Sequence, residues 1–323
     1  KDLYQLTGGT VEPITPGIYK ATEILIEQLN FADIERIYKK LVEHKPGEDP
    51  VIQFYEPFLS EYDPEERKAR GVYYTPKPVV DYIVRSVDFL LKTKFGKKKG
   101  LGDESVQILD PATGTGTFLM SVIQNIYADI EKENKPLGEN LVKRKFNEVV
   151  SNHILKHLYG FELLVAPYAI AHLKLTLELE RLGFNFSMTE DDSDQENDRL
   201  KIFLANTLDD PEKPPISLFG FESITEESEK ARIVKKDTPI LVIVGNPPYS
   251  VSSSNKSPWI EELMNTYKEA VRTERNIQPL SDDYIKFLRF AQWKIEQLGV
   301  GVIAMITNHS YLNGLIHRGM REQ

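Results

Sequence analysis

Apolar residues along the chain form two kinds of pattern that follow each other in turn. Stretches with apolar residues three and four positions apart, as in helices, separate short runs that are apolar without alternation. Such runs are typical of strands buried on both faces of a parallel sheet. The predicted strands are 106–110, 157–161, 201–204, 240–245 and 300–307, and the predicted helices are 77–92, 118–130, 141–155, 166–183 and 283–298. This order predicts an α/β fold with a doubly wound, mostly parallel sheet.

The helical pattern begins well before the first predicted strand, so two domains are expected. Residues 1–70 predict a mostly helical N-terminal segment, and residues 71–323 predict the α/β domain. At the start of the second domain, Thr75 is expected to cap a helix that has Pro76 at its first position. Polar residues dominate three stretches, which predict a loop at 186–200, an insertion at 209–237 and a mobile serine-rich loop at 250–257.

The composition is that of a soluble globular chain without thiol chemistry. Of its 323 residues, 41% are hydrophobic and 28% are charged. No apolar run approaches the roughly 18 residues that span a membrane, so a cytoplasmic protein is expected. The absence of cysteine excludes disulfides, thiolate catalysis and cysteine-based zinc sites. The histidines show no metal-binding spacing, and His153 and His157 are interpreted as ordinary helix residues.

The strand predicted at 240–245 ends in the most informative motif of the chain, Asn246-Pro247-Pro248-Tyr249. Ligands of open α/β sheets bind just outside the carboxyl ends of the strands. The two prolines have a fixed φ and no N–H group, so this turn is stiff and offers mainly carbonyl oxygens. An amide oxygen, a proline carbonyl and a flat ring held together can bind an exocyclic amino group on a planar heterocycle.

Three other predicted strands end in residues that suit a cofactor. The first leads into Asp110-Pro111-Ala112-Thr113-Gly114-Thr115-Gly116, a turn whose glycines let the backbone approach a ligand and whose Asp110 can accept from an ammonium group. This turn is neither the dinucleotide fingerprint nor a P-loop. Glu162 ends the second strand, where a carboxylate can bind both hydroxyls of a ribose. Asn206 follows the third strand, where its amide can bind the edge of an adenine.

With its motifs in this order, the chain resembles the adenine-N6 DNA methyltransferases of the gamma arrangement over about residues 70–323. Their motifs run from a Tyr-Thr-Pro loop through the glycine turn, the ribose acid and the adenine contact to Asn-Pro-Pro-Tyr. The stretch from Tyr55-Glu56 through Arg67 to Pro76 also resembles the fused restriction–modification enzymes of types IIG and ISP. The resemblance implies a Rossmann-like methyltransferase sheet that uses S-adenosylmethionine as cofactor. The implied cofactor-binding residues are Tyr74, Thr75, Pro76, Asp110, Pro111, Ala112, Gly114, Gly116, Phe118, Glu162, Asn206 and Asn246.

The same resemblance implies that Asn246, Pro247, Pro248 and Tyr249 are catalytic. The target adenine of double-stranded DNA is flipped out of the duplex, because its N6 is otherwise paired and stacked. Tyr249 would stack on the flipped base, while the Asn246 side-chain oxygen and the Pro247 carbonyl accept hydrogen bonds from N6. The nitrogen lone pair, freed from the ring, would then attack the sulfonium methyl in line. No enzyme nucleophile is needed.

The chain departs from the family pattern at three points. The adenine contact is commonly Asp but is Asn206 here. About 45 residues separate Gly116 from Glu162, where a plain βαβ unit has roughly 20, which predicts an inserted helix. The β-hairpin that completes the sheet and the target-recognition domain are not visible, so they are expected outside this chain, as is a fused or associated endonuclease. A recognition domain outside the chain would explain the net charge of −9, which is unusual for a nucleic-acid binder.

Three alternatives stay open. The Asn-Pro-Pro-Tyr motif also suits methylation of a glutamine side-chain amide in a protein, because that nitrogen poses the same lone-pair problem, and RNA amino groups are another target. A non-enzyme alternative is an inactive methylase-like subunit that binds DNA. The Tyr-Thr-Pro loop and the N-terminal helical segment favour DNA, and the intact Asn246 and Tyr249 count against an inactive subunit. The expected function is site-specific DNA adenine-N6 methylation in a bacterial or archaeal restriction–modification system.

Overall fold

The computed structural model describes residues 75–186, 199–215, 222–250, 253 and 255–323. Within them, five strands form one sheet: β1 (Ile108–Asp110), β2 (Leu158–Glu162), β3 (Lys201–Leu204), β4 (Val242–Gly245) and β5 (Val302–Met305). All neighbours are parallel, in the order β3-β2-β1-β4-β5. The predicted parallel α/β fold is therefore confirmed. The helical segment expected at 1–70 and Tyr74 lie outside the described residues.

Helices connect the strands. The described α-helices are α1 (Lys77–Lys94), α2 (Thr117–Asn134), α3 (Glu139–Val149), α4 (Val165–Arg181), α5 (Glu222–Asp237), α6 (Pro258–Lys268), α7 (Asp283–Leu298), α8 (Ser310–Asn313) and α9 (Arg318–Glu322). Between α2 and β2, α3 continues through a π-helical stretch, Val150–Ile154, into a last turn, Leu155–His157. This is the inserted helix that the long spacing before Glu162 predicts. In the part of the chain that the structure describes, no helix is both long and apolar enough to cross a membrane.

Hydrophobic side chains bury the sheet on both faces, because successive residues of a strand point to opposite sides. Ile108 and Val242 belong to one core, together with buried residues of α1, α2 and α4. Leu109 and Ile243 belong to the other core, together with buried residues of α6 and α7. This two-sided burial is the doubly wound arrangement, and it explains why the strands are apolar without alternation.

Some predictions about single elements are wrong. The polar stretch 209–237 contains α5, which buries Ala231 and Val234. The sequence predicts a buried strand at 300–307, but the residues of β5 are largely half-buried and Ile303 is 36% exposed, because β5 lies at one edge of the described sheet. Thr75 does not cap α1, which begins at Lys77 without a side-chain cap. The sequence also gives no prediction for α6.

The interpretation of His153 as a structural residue agrees with its surroundings. Its side chain is 1% exposed, and its Nε2 lies 2.7 Å from the carbonyl oxygen of Leu101. Burial lowers the pKa of His153 to about 4, so the ring is neutral at physiological pH. It therefore acts as a core hydrogen-bonding residue that ties the π-helical stretch to the segment before β1.

Candidate active site

The residues predicted to carry chemistry follow adjacent strands of the sheet. Asp110 ends β1, Glu162 ends β2, and Asn246 comes directly after β4. Because β1 lies between β2 and β4, and all three are parallel, these residues occur at the same edge of the sheet. A crevice at the carboxyl ends of the strands is where open α/β sheets bind ligands. The structure thus brings the separate strand-end residues to one candidate site.

The turn after β1 is shaped by glycines and hydrogen bonds to β2. Gly114 and Gly116 have φ angles of +54° and +80°, which side chains with a Cβ rarely adopt. The amide of Thr113 donates to the carbonyl of Phe161 at 2.9 Å, and the amide of Gly114 donates to Oε2 of Glu162 at 2.8 Å. The turn ends at the first residue of α2, Thr117. Backbone N–H groups at a helix start favour anionic or polar ligand groups.

Asp110 lies beneath this turn. Its side chain is 1% exposed, and its Oδ1 accepts a hydrogen bond from the amide of Ala112 at 3.0 Å. Desolvation raises the pKa of Asp110 to about 8; the Ala112 hydrogen bond opposes this shift and the charge of Glu162 adds to it. The carboxyl is therefore largely protonated at neutral pH. A cation brought next to it would favour its ionised form.

Glu162 connects the turn to the segment after β2. Its Oε2 accepts from Gly114, and its Oε1 accepts from the amide of Leu164 at 2.8 Å. A carboxylate has about four lone-pair sites, so holding two amides is compatible with binding ribose hydroxyls as well. The ribose contact stays a prediction.

Asn206 is held by its neighbours on several sides. Its Oδ1 accepts from the amide of Leu208 at 3.0 Å, and its Nδ2 lies 3.1 Å from Oδ1 of Asp209 and 3.3 Å from Oδ1 of Asn255. Its carbonyl oxygen accepts from Nζ of Lys235 at 2.6 Å. Desolvation lowers the pKa of this buried lysine to about 8. The contacts of Asn206, the residue predicted to bind adenine, therefore fix the segment that follows β3.

Two residues that the sequence analysis does not single out support this segment. Oγ1 of Thr207 donates to the carbonyl of Pro111 at 2.5 Å, which joins the segment to the glycine turn. Lys235 reaches it from α5, a helix within the stretch that the sequence predicts as a polar insertion. A buried lysine on a largely polar helix gives no sequence signal that separates it from solvated neighbours. A threonine next to a strand-end asparagine is equally ordinary.

The Asn246–Tyr249 motif forms a compact hydrogen-bonded unit. Nδ2 of Asn246 donates to Oγ1 of Thr75 at 3.1 Å. The Tyr249 hydroxyl lies 3.2 Å from Oδ1 of Asn246 and 3.0 Å from the carbonyl oxygen of Ile306, and it can donate to either. The Tyr249 ring is half-buried, with its centroid 5.7 Å from that of Tyr284. Desolvation raises the pKa of Tyr249 to about 12, so its hydroxyl stays protonated at neutral pH.

The motif and the glycine turn approach each other closely at Gly245. A Cβ atom on Gly245 would lie 2.8 Å from Oδ1 of Asp110 and 3.5 Å from Cδ of Pro111. Real Cβ contacts are not as short as 2.8 Å, so a side chain at position 245 would have to displace the carboxyl of Asp110, whereas its contact with Pro111 would be an ordinary one. The pairing of β1 with β4 makes the motif and the glycine turn neighbours, and the glycine before the motif leaves room for the Asp110 carboxyl between them.

The start of α7 anchors the chain that follows the motif. The amide of Ser250 donates to Oδ1 of Asp282 at 2.9 Å, and the amide of Asp283 donates to the carbonyl of Ser250 at 3.2 Å. Further along, Oγ of Ser253 donates to Oδ1 of Asp283 at 2.6 Å. The described residues of the serine-rich stretch 250–257 are thus attached to a helix end, a role for the two aspartates that sequence reasoning misses.

The remaining predicted residues have mainly backbone or core positions. Pro76 precedes α1, and its carbonyl accepts from the amides of Val79 and Val80. Pro247 is buried and Pro248 half-buried within the motif. Phe118 is 2% exposed and belongs to the hydrophobic core beside the glycine turn. The cofactor contacts assigned to these residues stay predictions.

Comparison with known proteins identifies the family to which this arrangement corresponds. The family described as N-6 DNA Methylase matches residues 47–319. The chain belongs to this family. The methyltransferase-type α/β fold and the resemblance seen in the motifs are thereby confirmed, whereas a search of curated protein sequences gives no significant match.

Several solved structures are similar to this chain. The DrdV–DNA complex is 27% identical in sequence, with a TM-score of 0.63, over 84% of this chain and 24% of that one. Two type ISP restriction–modification enzymes, LlaBIII bound to DNA and a nuclease-deletion mutant of LlaGI with a DNA substrate mimic, are each 24% identical, with TM-scores of 0.64 and 0.61. Their similarity shows a shared fold over 99% and 96% of this chain. The N-6 DNA methylase chain spans about a quarter of the length of these three proteins.

Proposed function

We propose that this N-6 DNA methylase transfers a methyl group from S-adenosylmethionine to N6 of an adenine in double-stranded DNA. The observation that carries the proposal is the junction at Gly245, where the Asn246–Tyr249 motif meets the glycine turn of β1. A site for an amino group and a site for a polar cofactor thereby become adjacent. Transfer between two bound groups requires this adjacency.

The residues around the glycine turn fit S-adenosylmethionine. Left-handed glycines and the start of α2 form a backbone cradle, with the carboxylate of Glu162 bonded to it. Glu162 would bind the ribose, Asn206 the adenine edge, and the buried Asp110 would balance positive charge. When bound, the cofactor supplies an electrophilic methyl group on a sulfonium centre. Asp110, neutral on its own at pH 7, suits a partner whose positive charge favours the carboxylate.

The motif residues would act on the target amino group. Oδ1 of Asn246 and the carbonyl of Pro247 would accept its two hydrogens, and the Tyr249 ring would stack on the base. Two acceptors off the plane of the base favour a pyramidal nitrogen, whose lone pair no longer conjugates with the ring. Fixed acceptors also stabilise positive charge that develops on that nitrogen. The nitrogen would gain the methyl group as the bond from that carbon to sulfur breaks, which leaves the thioether S-adenosylhomocysteine, and the nitrogen would release one hydrogen as a proton.

The comparisons support DNA as the substrate and a restriction–modification system as the setting. The family is one of DNA methylases, and the similar structures include restriction–modification enzymes in complexes with DNA. Those chains are about four times as long as the present one. We therefore assign residues 71–323 to the catalytic domain and place sequence recognition and an endonuclease in parts or partners outside this chain. A cytoplasmic site of action accords with such a system.

A labelling experiment tests the proposal. The full-length protein is incubated with tritiated S-adenosylmethionine and with unmethylated DNA, total RNA and cell protein in parallel. Label is expected in DNA, recovered as N6-methyl-2′-deoxyadenosine after digestion, and lost with Asn246→Ala. The control is Asn140→Ala, which changes an exposed residue of α3 and should keep full transfer. Label in RNA or protein alone, or undiminished transfer by Asn246→Ala, would overturn the proposal.

A further inference from the structure

Thr75 comes close to the catalytic motif although it is far from it in the sequence. Its Oγ1 lies 3.1 Å from Nδ2 of Asn246, and this hydroxyl is not used as a side-chain cap of α1. The helix that follows it is fixed to the sheet, because Val80 and Val84 on its inner face are 0% and 1% exposed. The hydroxyl therefore lies two residues before a helix that is packed against the sheet.

The orientation of the Asn246 amide matters for the proposed reaction. An amide presents an acceptor oxygen on one side and a donor NH2 group on the other, and a half-turn about its last torsion exchanges them. In the observed orientation, Oδ1 faces Tyr249 and Nδ2 faces Thr75. The flipped base is proposed to stack on Tyr249, so this orientation turns the acceptor toward the target. The exchanged orientation would place an NH2 group opposite the N6 amino group, donor against donor.

Tyr249 cannot maintain this orientation by itself. Its hydroxyl has one hydrogen and two neighbouring acceptors, Oδ1 of Asn246 and the carbonyl of Ile306. Once Oδ1 accepts from a target amino group, the Tyr249 hydrogen can turn to Ile306, and the Tyr249 oxygen becomes an acceptor that attracts Nδ2. Nδ2 then needs a partner on the opposite side if the amide is to keep its place. The Thr75 hydroxyl is that partner: it accepts from Nδ2 and, because a hydroxyl can also donate, it holds the amide group while the target amino group selects which end faces the base.

We propose that Thr75 is a positioning residue that holds the Asn246 amide group in place for its oxygen to accept from the target amino group. This inference rests on the proposed function, and for the Thr75 side chain it replaces the cofactor contact expected from the Tyr-Thr-Pro loop. The consequence is a slower methyl-transfer step. Loss of the Thr75 hydroxyl lowers the fraction of molecules whose amide is in the reactive position, whereas cofactor affinity changes little.

Three variants at two positions test the assignment. Thr75→Val has nearly the same shape but no hydrogen-bonding group, and Thr75→Ser restores the hydroxyl. Thr93→Val is the matched control, because Thr93 lies in α1, the helix that follows Thr75, with its hydroxyl bonded to the carbonyl of Phe89. Single-turnover methyl transfer to unmethylated genomic DNA is measured with the full-length protein at saturating S-adenosylmethionine, and the cofactor dissociation constant is measured by calorimetry.

Thr75→Val should slow single-turnover transfer about 10- to 100-fold, the range expected when one buried polar group loses its partner. Its cofactor dissociation constant should stay within about twofold, and Thr75→Ser and Thr93→Val should react like the parent. An unchanged rate for Thr75→Val, a weakened cofactor affinity with normal rate at saturation, or a Thr75→Ser variant as slow as Thr75→Val would each overturn the assignment. A parent protein that labels no DNA would instead refute the proposed function.

Discussion

The buried carboxyl of Asp110 should make stability depend on pH in a way that Asp110→Asn removes. Burial raises its pKa in the folded protein to about 8, from an unfolded value near 3.8. Well below pH 3.8 the carboxyl is neutral in both states, and its contribution to stability is complete. As the pH rises toward 8, the unfolded chain ionises while the folded protein keeps the proton, so this contribution is progressively lost.

The magnitude follows from the separation of the two pKa values. Each pH unit between the two pKa values lowers the free energy of unfolding by about 1.4 kcal/mol. Between pH 5 and pH 7, this free energy should therefore fall by about 3 kcal/mol more in the parent than in Asp110→Asn. Asparagine keeps an oxygen for the Ala112 amide, and it does not ionise. Urea unfolding at pH 5, 6 and 7 can be followed by fluorescence of Trp259 and Trp293, whose rings lie 5.0 Å apart beside the second core.

The difference between parent and Asp110→Asn is the decisive quantity, because every other titrating group contributes to both proteins. A difference that is constant, or that shifts in favour of the parent as the pH rises from 5 to 7, would refute the reasoning. It would mean that the carboxyl is already ionised beneath the glycine turn.

Three further substitutions probe the site. Glu162→Gln should raise the dissociation constant of S-adenosylmethionine about 10-fold in calorimetry, because charge-assisted hydrogen bonds are lost; unchanged affinity would remove Glu162 from the cofactor site. Tyr249→Phe keeps the ring and loses one hydrogen bond, so single-turnover transfer should fall by less than about 10-fold, and a loss as complete as that of Asn246→Ala would contradict a stacking role. Gly245→Ala places a Cβ 2.8 Å from the Asp110 carboxyl and should lower the free energy of urea unfolding by about 1–3 kcal/mol. An unchanged free energy of unfolding would mean that the carboxyl moves aside without cost.

The sequence predicts those elements whose own residues carry a clear apolar pattern. Residues 201–204 and 283–298 have the predicted bounds, since each carries a pattern that only one kind of element satisfies. The sequence gives no helix signal for α5, because this helix is mostly charged and buries little besides Ala231 and Val234, which leaves almost no apolar stripe. The apolar residues of β5 predict a buried strand, but exposure at a sheet edge depends on neighbouring strands and not on the strand's own residues.

For the site, strand-end residues could be predicted singly but their mutual contacts could not. Parallel strands bring Asp110, Glu162 and Asn246 to one edge whatever their side-chain geometry. The hydrogen bond between Thr75 and Asn246 depends on how α1 lies across the sheet, and a local pattern favoured a helix cap for Thr75 instead. The supporting contacts of Lys235 depend likewise on a helix that local sequence did not reveal.

The position of β1 in the sheet has a consequence for the synthesis of the chain. β1 pairs with β2 on one side and with β4 on the other, but β4 follows it by about 130 residues. At a translation rate of about 5–20 residues per second, its second edge waits on the order of ten seconds for a partner. During that time an apolar strand edge is open on the nascent chain, which is a template for wrong pairing. Molecular chaperones that bind extended apolar segments should therefore associate with ribosomes translating this protein most strongly between the emergence of β1 and that of β4.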